Sequence, residues 1–273
     1  MTQESLLRSL ASYYATMMRT QLMMQFQYRA STYMYTLGMV AEPTIYLVVW
    51  STIARSHGGT VDGLTPHAFA AYYIVWTLVR TMNIVFTPYG WEERIREGHF
   101  SSDLLRPLHP IHSDLAMFAG QKLVWVLMYL PIAIGLSLVF HPALHPGAVQ
   151  IVVFFFAIWG AYLIRSMNMW ILGMVSIWTT RAAAVFETYV LAELLLSGRL
   201  VPLTLMPHWS QTLAAWLPFK WTFYFPIETL VGHMSNLALL RGLGLQVVWI
   251  AIGTVAMQGA WRLSLKHYTA VGN

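Results

Sequence analysis

The sequence contains no cysteine and very little charge, with 16 Lys and Arg and 11 Asp and Glu among 273 residues. The missing cysteine excludes a disulfide framework and any thiolate metal or redox site. The missing charge excludes more. A soluble domain carries roughly 25% charged residues because its surface must face water, whereas this chain has 10% charged and 57% hydrophobic residues. With a mean hydropathy of +0.55, there is too little polar material to coat a globule, so the surface is expected to face lipid. Also absent are a GxxxxGK[ST] phosphate loop, a GxGxxG fingerprint after a strand and an HExxH pair, so neither nucleotide nor metal binding is expected of the chain itself. The net charge of +5 comes from basic residues spaced singly between apolar runs. A nucleic-acid binder gathers them on one face or tail, so no nucleic-acid partner is expected.

What the sequence does have is apolar runs of bilayer length. A hydrocarbon core of about 30 Å takes about 20 residues of helix, and runs of this kind cover 33–54, 68–88, 115–140, 148–178, 182–196 and 243–263. The fold class predicted is an all-α membrane protein of six transmembrane helices in a single domain, residues 1–273. The run at 148–178 exceeds one bilayer thickness and the run at 182–196 falls short of it. Placing the N-terminus inside puts Arg8, Arg19, Arg29, Arg94, Arg96, Arg106, Lys122, Arg181, Arg262 and Lys266 on the cytoplasmic side. Only Arg55, Arg199, Lys220 and Arg241 then lie outside, which satisfies the positive-inside rule and makes both termini cytoplasmic.

Three segments outside these runs are informative. Residues 4–28 carry Leu7, Leu10, Tyr14, Met17 and Met18 at helical spacing, a stripe that suits a helix lying in the lipid interface or packed on the bundle. The stretch from Trp91 to Asp114 is where charge is densest, with eight of the chain's 27 charged residues. Glu92, Glu93, Arg94, Arg96 and Glu97 form a dense turn of mixed sign, Gly98 stops it, and Phe100, Leu104, Leu105, Arg106 and Leu108 follow. Mixed charge around apolar anchors suits docking onto another protein, the alternative being a solvated loop. Residues 197–241 are apolar and aromatic, yet Pro202, Pro207, Pro218 and Pro226 forbid one continuous helix. Irregular backbone at membrane depth requires protein or a water-filled cavity around it. The expectation is a set of short re-entrant or interfacial helices, its apolar residues (Phe219 among them) buried against the spans, shielding the outer end of a pathway. The other reading is a long loop lying on the lipid.

Ionisable residues inside the spans are costly and usually face a cavity or a partner. They are Glu42, Arg80, Arg165, Glu187 and Glu193. If the first two spans are antiparallel neighbours, Glu42 meets Arg80 at similar depth, and Arg165 has a partner in Glu193. Such groups either line a pathway or proton relay, or pin helix to helix.

The order of these features is similar to a known family. IREGHFSSDLLRPL, Ile95 to Leu108, resembles a cytoplasmic signature of ABC-2-type permeases of bacterial two-component export systems. SGRLVPLTLMPHWSQTLAAWLPFKWTFYFPIETLVG, Ser197 to Gly232, resembles that branch's Pro-rich segment before the last span, and the closing YTAVGN, Tyr268 to Asn273, its usual ending. The resemblance implies six spans preceded by an interfacial connecting helix, here residues 4–28. It implies a coupling helix that contacts the ATPase, here residues 92–106 with Glu92, Glu93, Arg94, Arg96, Gly98, Phe100, Leu105 and Arg106. It also implies a re-entrant extracellular hairpin acting as an outer gate, here within residues 197–241, with Gly198, Pro202, Pro207, Pro218, Phe219 and Pro226. Implied partners are two copies of an ATP-binding-cassette ATPase, which would hold ATP and Mg, and a second permease, identical or homologous, in a bacterial inner membrane. The implied activity is export of a hydrophobic or amphipathic small molecule, lipid or peptide by alternating access at the permease dimer axis. The chain would be a transport subunit with no catalytic residues and no cofactor of its own.

Two other classes compete. A proton-coupled secondary transporter would titrate Glu42 or Glu193, but that class often shows interruptions in both halves, and here only the second half is interrupted. A membrane enzyme or lipid-binding scaffold would use His208 or His233, yet no nucleophile, base and orienting group come at a recognisable spacing.

Overall fold

The computed structural model describes residues 3–56, 58–179 and 182–268. Arg181 and the last five residues of the closing YTAVGN motif lie outside them. Every regular element among the described residues is helical: α1 (Gln3–Gln27), α2 (Arg29–Ser56), α3 (Pro66–Met82), α4 (Pro88–Arg96), α5 (His99–Leu104), α6 (Ile111–Phe140), α7 (Ala148–Met174), α8 (Ala182–Leu196), α9 (His208–Ala215), α10 (Phe219–Thr222), α11 (Tyr224–Val231) and α12 (Asn236–His267), with 3-10 turns at Val175–Ile177 and Leu203–Leu205.

Helix ends follow local chemistry. Thr65 caps α3 by accepting from the Ala68 N–H, with Pro66 in the first turn, where a missing N–H costs nothing. Ser235 caps α12 in the same way through the Ala238 N–H. His141 closes α6 in the left-handed region at φ 48°, and the His-Pro-Ala-Leu-His-Pro-Gly run that follows cannot continue a helix.

Among the described residues, four helices are long and apolar enough to cross a membrane: Ala30–Ser56, Ile111–Phe140, Ala148–Ile177 and Asn236–His267. The other two expected spans are shorter. α3 has 17 residues and α8 has 15, about 26 and 22 Å at 1.5 Å per residue. The run expected to continue from α3 to Pro88 instead breaks at Asn83, and Pro88 starts a separate helix, α4. Large apolar side chains point outward along the long helices, among them Leu127, Ile134 and Leu138 on α6, Phe155 and Phe156 on α7, and Val247 and Val255 on α12. Contiguous apolar surface of this kind is rare on proteins bathed in water. The chain is a multi-pass membrane protein.

α3 is the central post, with 12 of its 17 residues buried. It packs against α2, α6 and α11, while α12 lies along α7 and α1 along the first turns of α6. Glycines set the closest approaches. A methyl group at Gly120 would lie 2.8 Å from the Met18 backbone, bringing α1 onto α6. One at Gly160 would lie 2.7 Å from Gln246 Oε1, bringing α12 onto α7. Small residues at such crossings let helices associate by packing where lipid offers no hydrophobic drive.

The Pro-rich segment after α8 folds back into the bundle. Pro207 and Pro218 immediately precede α9 and α10, Pro226 falls within the first turn of α11, and Pro202 precedes the 3-10 turn. Its backbone is held by side chains of α3, its C-cap and α12: Tyr72 Oη donates to the Gly198 carbonyl at 2.6 Å, Tyr73 Oη to Leu200 at 3.1 Å, Asn83 Nδ2 to Thr222 at 2.6 Å and Gln246 Nε2 to Trp221 at 2.9 Å. Gly198 sits at φ 79° with Tyr72 Oη 3.0 Å from where a side chain would begin, so only glycine fits without strain. Leu203, Phe219, Trp221, Phe223, Phe225 and Ile227 are buried. The expectation that the whole apolar set turns inward fails at α9, where Trp209, Leu213 and Trp216 face outward, Trp216 at 79% exposure. At eight residues, α9 presents one face to the bundle and leaves the other uncovered.

Candidate functional site

Two groups of residues singled out by the sequence are assembled by the fold. The first lies where α4 and α5 meet the starts of α6 and the ends of α7 and α12. Arg94 donates to Asp114 through both terminal nitrogens, at 2.7 and 3.2 Å. It also reaches Asp103 at 3.5 Å and lies 4.3 Å from the centre of the Phe86 ring. Trp91 packs edge-on to Trp170 at 4.7 Å and fills the space over Gly173, where a methyl group would come within 2.2 Å of the indole. Phe100 is 0% exposed, in ring contact with Trp91, Trp261 and Tyr268. The fold therefore places Phe100 and Arg94 inside, where they key α4 and α5 to α6, α7 and α12. Glu92, Glu93, Arg96, Gly98 and Arg106 remain on the surface, and Leu105, 87% exposed, is the large apolar side chain among them. Gly98 joins α4 to α5 at φ 76°, in the left-handed region that stops a helix. Behind this platform His109 is wedged against Trp170 and Trp261. Burial, aided by His112, pushes its pKa down to about 4, so the ring is neutral at pH 7.

The second group is a chain of charges through the middle of the bundle. Arg165 grips Glu193 with two hydrogen bonds, Nε to Oε1 at 2.8 Å and Nη2 to Oε2 at 2.9 Å, and its third nitrogen donates to the Asn83 carbonyl. Glu193 is 0% exposed. Arg80 Nη2 lies 2.7 Å from Glu42 Oε2, with Tyr46 Oη donating to the other oxygen at 3.3 Å. Between the two pairs stands Arg199, 3.9 Å from Glu193 Oε2 and 3.9 Å from Glu42 Oε1. Arg165 and Arg199 both lie about 6 Å from the Phe223 ring (6.0 and 5.9 Å), within cation–π range. Glu187 is not part of this network. It lies on the open face of α8, where Tyr89 of α4 donates to it.

Two buried basic residues, one in this network and one beside it, were not legible in the sequence. Arg199 counted there as an outer residue and Lys122 as a cytoplasmic one. The signal for Arg199 was the length of α8: 15 residues reach about 22 Å, less than a bilayer core, so a span of that length would leave the residues just beyond Leu196 at membrane depth. Lys122 is fully buried, donating to the Ile84 carbonyl and lying 4.4 Å from the Tyr162 ring. α6 starts at Ile111 rather than at Leu115, which carries Lys122 about three turns into the helix.

The long apolar helices, the charged interior and the polar platform at one end define a multi-pass membrane protein. Residues 40–272 match the profile of the ABC-2 family transporter protein, and the chain belongs to that family. No curated protein matches the chain, and no solved structure does.

Proposed function

We propose that the chain is the permease subunit of an ATP-driven exporter and that α4 and α5 are the element through which a separate ATPase subunit drives it. The observation that carries this reading is the division of that platform into two faces. Inside, Arg94, Trp91 and Phe100 are locked to α6, α7 and α12. Outside, Leu105 stands exposed beside Glu92, Glu93, Arg96 and Arg106. A push on the outer rim would be passed to three long helices at once. Of the expected outer-gate segment 197–241, the last six residues begin α12; the rest would form a re-entrant outer gate, α1 an interfacial connecting helix, and α3 and α8 the two short members of a set of six spans. Two permeases and two ATPases would alternate access at the permease dimer axis, with ATP and Mg held by the ATPase and both permease termini in the cytoplasm of a bacterial inner membrane. The two carboxylates that a proton-coupled carrier would titrate, Glu42 and Glu193, are instead each paired with an arginine.

The test separates the two faces. Leu105→Ala should weaken ATPase binding by about 30-fold, the value of a 2 kcal/mol hot spot, and leave the melting temperature of the isolated permease unchanged. Phe100→Ala should lower that melting temperature, since truncating a buried Phe costs about 3–5 kcal/mol. Unchanged ATPase affinity in both Leu105→Ala and Leu105→Asp would return α5 to a solvated turn.

A further inference from the structure

We propose that Arg199 is a ligand-binding residue that takes the oxyanion of an acidic amphiphile at membrane depth. The inference deepens the permease reading, on which it rests, by naming a substrate class: molecules that carry a phosphate or carboxylate on an apolar tail.

The argument starts from the hydrogen-bonding capacity of the guanidinium group. Arginine carries five N–H donors in a rigid fork and cannot shed its charge, and a donor withdrawn from water without an acceptor is costly. Arg165 and Arg80 meet that requirement with carboxylates at 2.8 and 2.7 Å. Arg199 does not. Among the described residues its Nε is buried with no hydrogen-bond partner, and its two carboxylate neighbours lie at 3.9 Å, beyond hydrogen-bonding distance. Neither carboxylate can readily move closer. Both oxygens of Glu193 are held by Arg165, and those of Glu42 by Arg80 and Tyr46.

The charge count gives the sign of the missing partner. Three arginines face two glutamates, Arg80, Arg165 and Arg199 against Glu42 and Glu193, leaving one positive charge over. In hydrocarbon a surplus cation is unfavourable until an anion joins it, and a fork of parallel N–H groups suits the planar edge of a carboxylate or phosphate. Access follows from burial: the Arg199 side chain is 18% exposed and that of Glu42 32%, so the network reaches the surface of the bundle. Along α2, Ile45 and Val49 lie one and two turns beyond Glu42 and are exposed, an apolar strip on which a tail can lie. The Tyr72 and Tyr73 hydroxyls hold the Gly198 and Leu200 carbonyls on either side of Arg199, so the guanidinium group is presented from a held loop.

The experiment uses the purified full chain in lipid nanodiscs without any ATPase, so its failure rejects the site and leaves the permease reading standing. Three probes are compared by competition against a fluorescent dodecyl phosphate: dodecyl phosphate, dodecanoate and the uncharged dodecanol. Inorganic phosphate is a fourth arm that separates a free anion from one on a tail. Because a charge-assisted hydrogen bond is stronger than a neutral one, the two acids should bind about 10-fold to 100-fold more tightly than the alcohol, and inorganic phosphate should not compete. Arg199→Gln should abolish the preference, and Arg199→Lys should retain part of it. Equal affinity for acid and alcohol in the wild-type chain, or an undiminished preference in Arg199→Gln, overturns the proposal. Tight binding of inorganic phosphate alone also overturns it, because the ligand would then need no tail. If Arg199→Gln does not fold, a diazirine-bearing dodecyl phosphate on the wild-type chain decides: labelling near Arg199 and Phe223 supports the site, and labelling confined to other segments rejects it.

Discussion

Replacing Glu193 with Leu is expected to destabilise the chain by about 3–5 kcal/mol, because it strands the Arg165 guanidinium group in the interior. Glu193 is fully buried and accepts two hydrogen bonds from Arg165, so water cannot replace it. Arg165→Met strands the carboxylate in the same way and also removes the donor to the Asn83 carbonyl. The double replacement, Arg165→Met with Glu193→Leu, should recover most of the loss, since exchanging a buried pair for packed apolar groups is often neutral or stabilising. The recovery should be incomplete, because the Asn83 carbonyl loses its donor and Arg199 loses one of its two neighbouring carboxylates. Thermal unfolding of the four proteins in nanodiscs gives the double-mutant cycle. Single replacements within about 1 kcal/mol of the wild type, the range of exposed pairs, would mean that the pair is solvated and that the charge chain does not hold the bundle.

The second large effect is expected at Arg94. Its partner Asp114 is nearly buried, and Arg94→Met leaves that carboxylate without its two hydrogen bonds. A loss of about 3–5 kcal/mol follows from the uncompensated charge, but a further consequence distinguishes a transmitting contact from a merely structural one. If the platform conveys motion from the ATPase to α6, then Asp114→Asn, which keeps the shape and removes the charge, should lower substrate moved per ATP hydrolysed. ATP hydrolysis by the complex should itself persist. A purely structural role would lower the melting temperature and leave that ratio unchanged.

The sequence was a good guide wherever one physical rule dominated. Apolar length identified α2, α6, α7 and α12, and it placed α8 at its observed boundaries, Ala182–Leu196. Comparable depth on antiparallel neighbours was enough to pair Glu42 with Arg80, and the cost of lone charges in hydrocarbon to pair Arg165 with Glu193. It was a poor guide where a residue's surroundings come from distant segments. Phe100 reads as an exposed anchor in a charged loop, but Trp261 and Tyr268 come from the far end of the chain to enclose it. Lys122 reads as a membrane-edge cation, but α6 begins a turn earlier than its hydropathy suggests. Arg199 follows a Ser-Gly turn that reads as a loop outside the membrane, and only the shortness of α8 keeps it within reach of Glu42 and Glu193. Trp209, Leu213 and Trp216 carry the same apolar signal as their buried neighbours, and composition cannot tell which face of a two-turn helix is covered.

The measurement that bears most directly on the proposed function is the composition of the complex carried by this chain. A tagged copy expressed from its own locus is purified from native membranes in a mild detergent, and the co-eluting proteins are quantified by mass spectrometry. The account predicts an ATP-binding-cassette subunit recovered in equal amount with the permease, and its loss when Leu105 is changed to Asp. A stable permease that elutes with no ATPase, from membranes where it is fully active in transport, would contradict it.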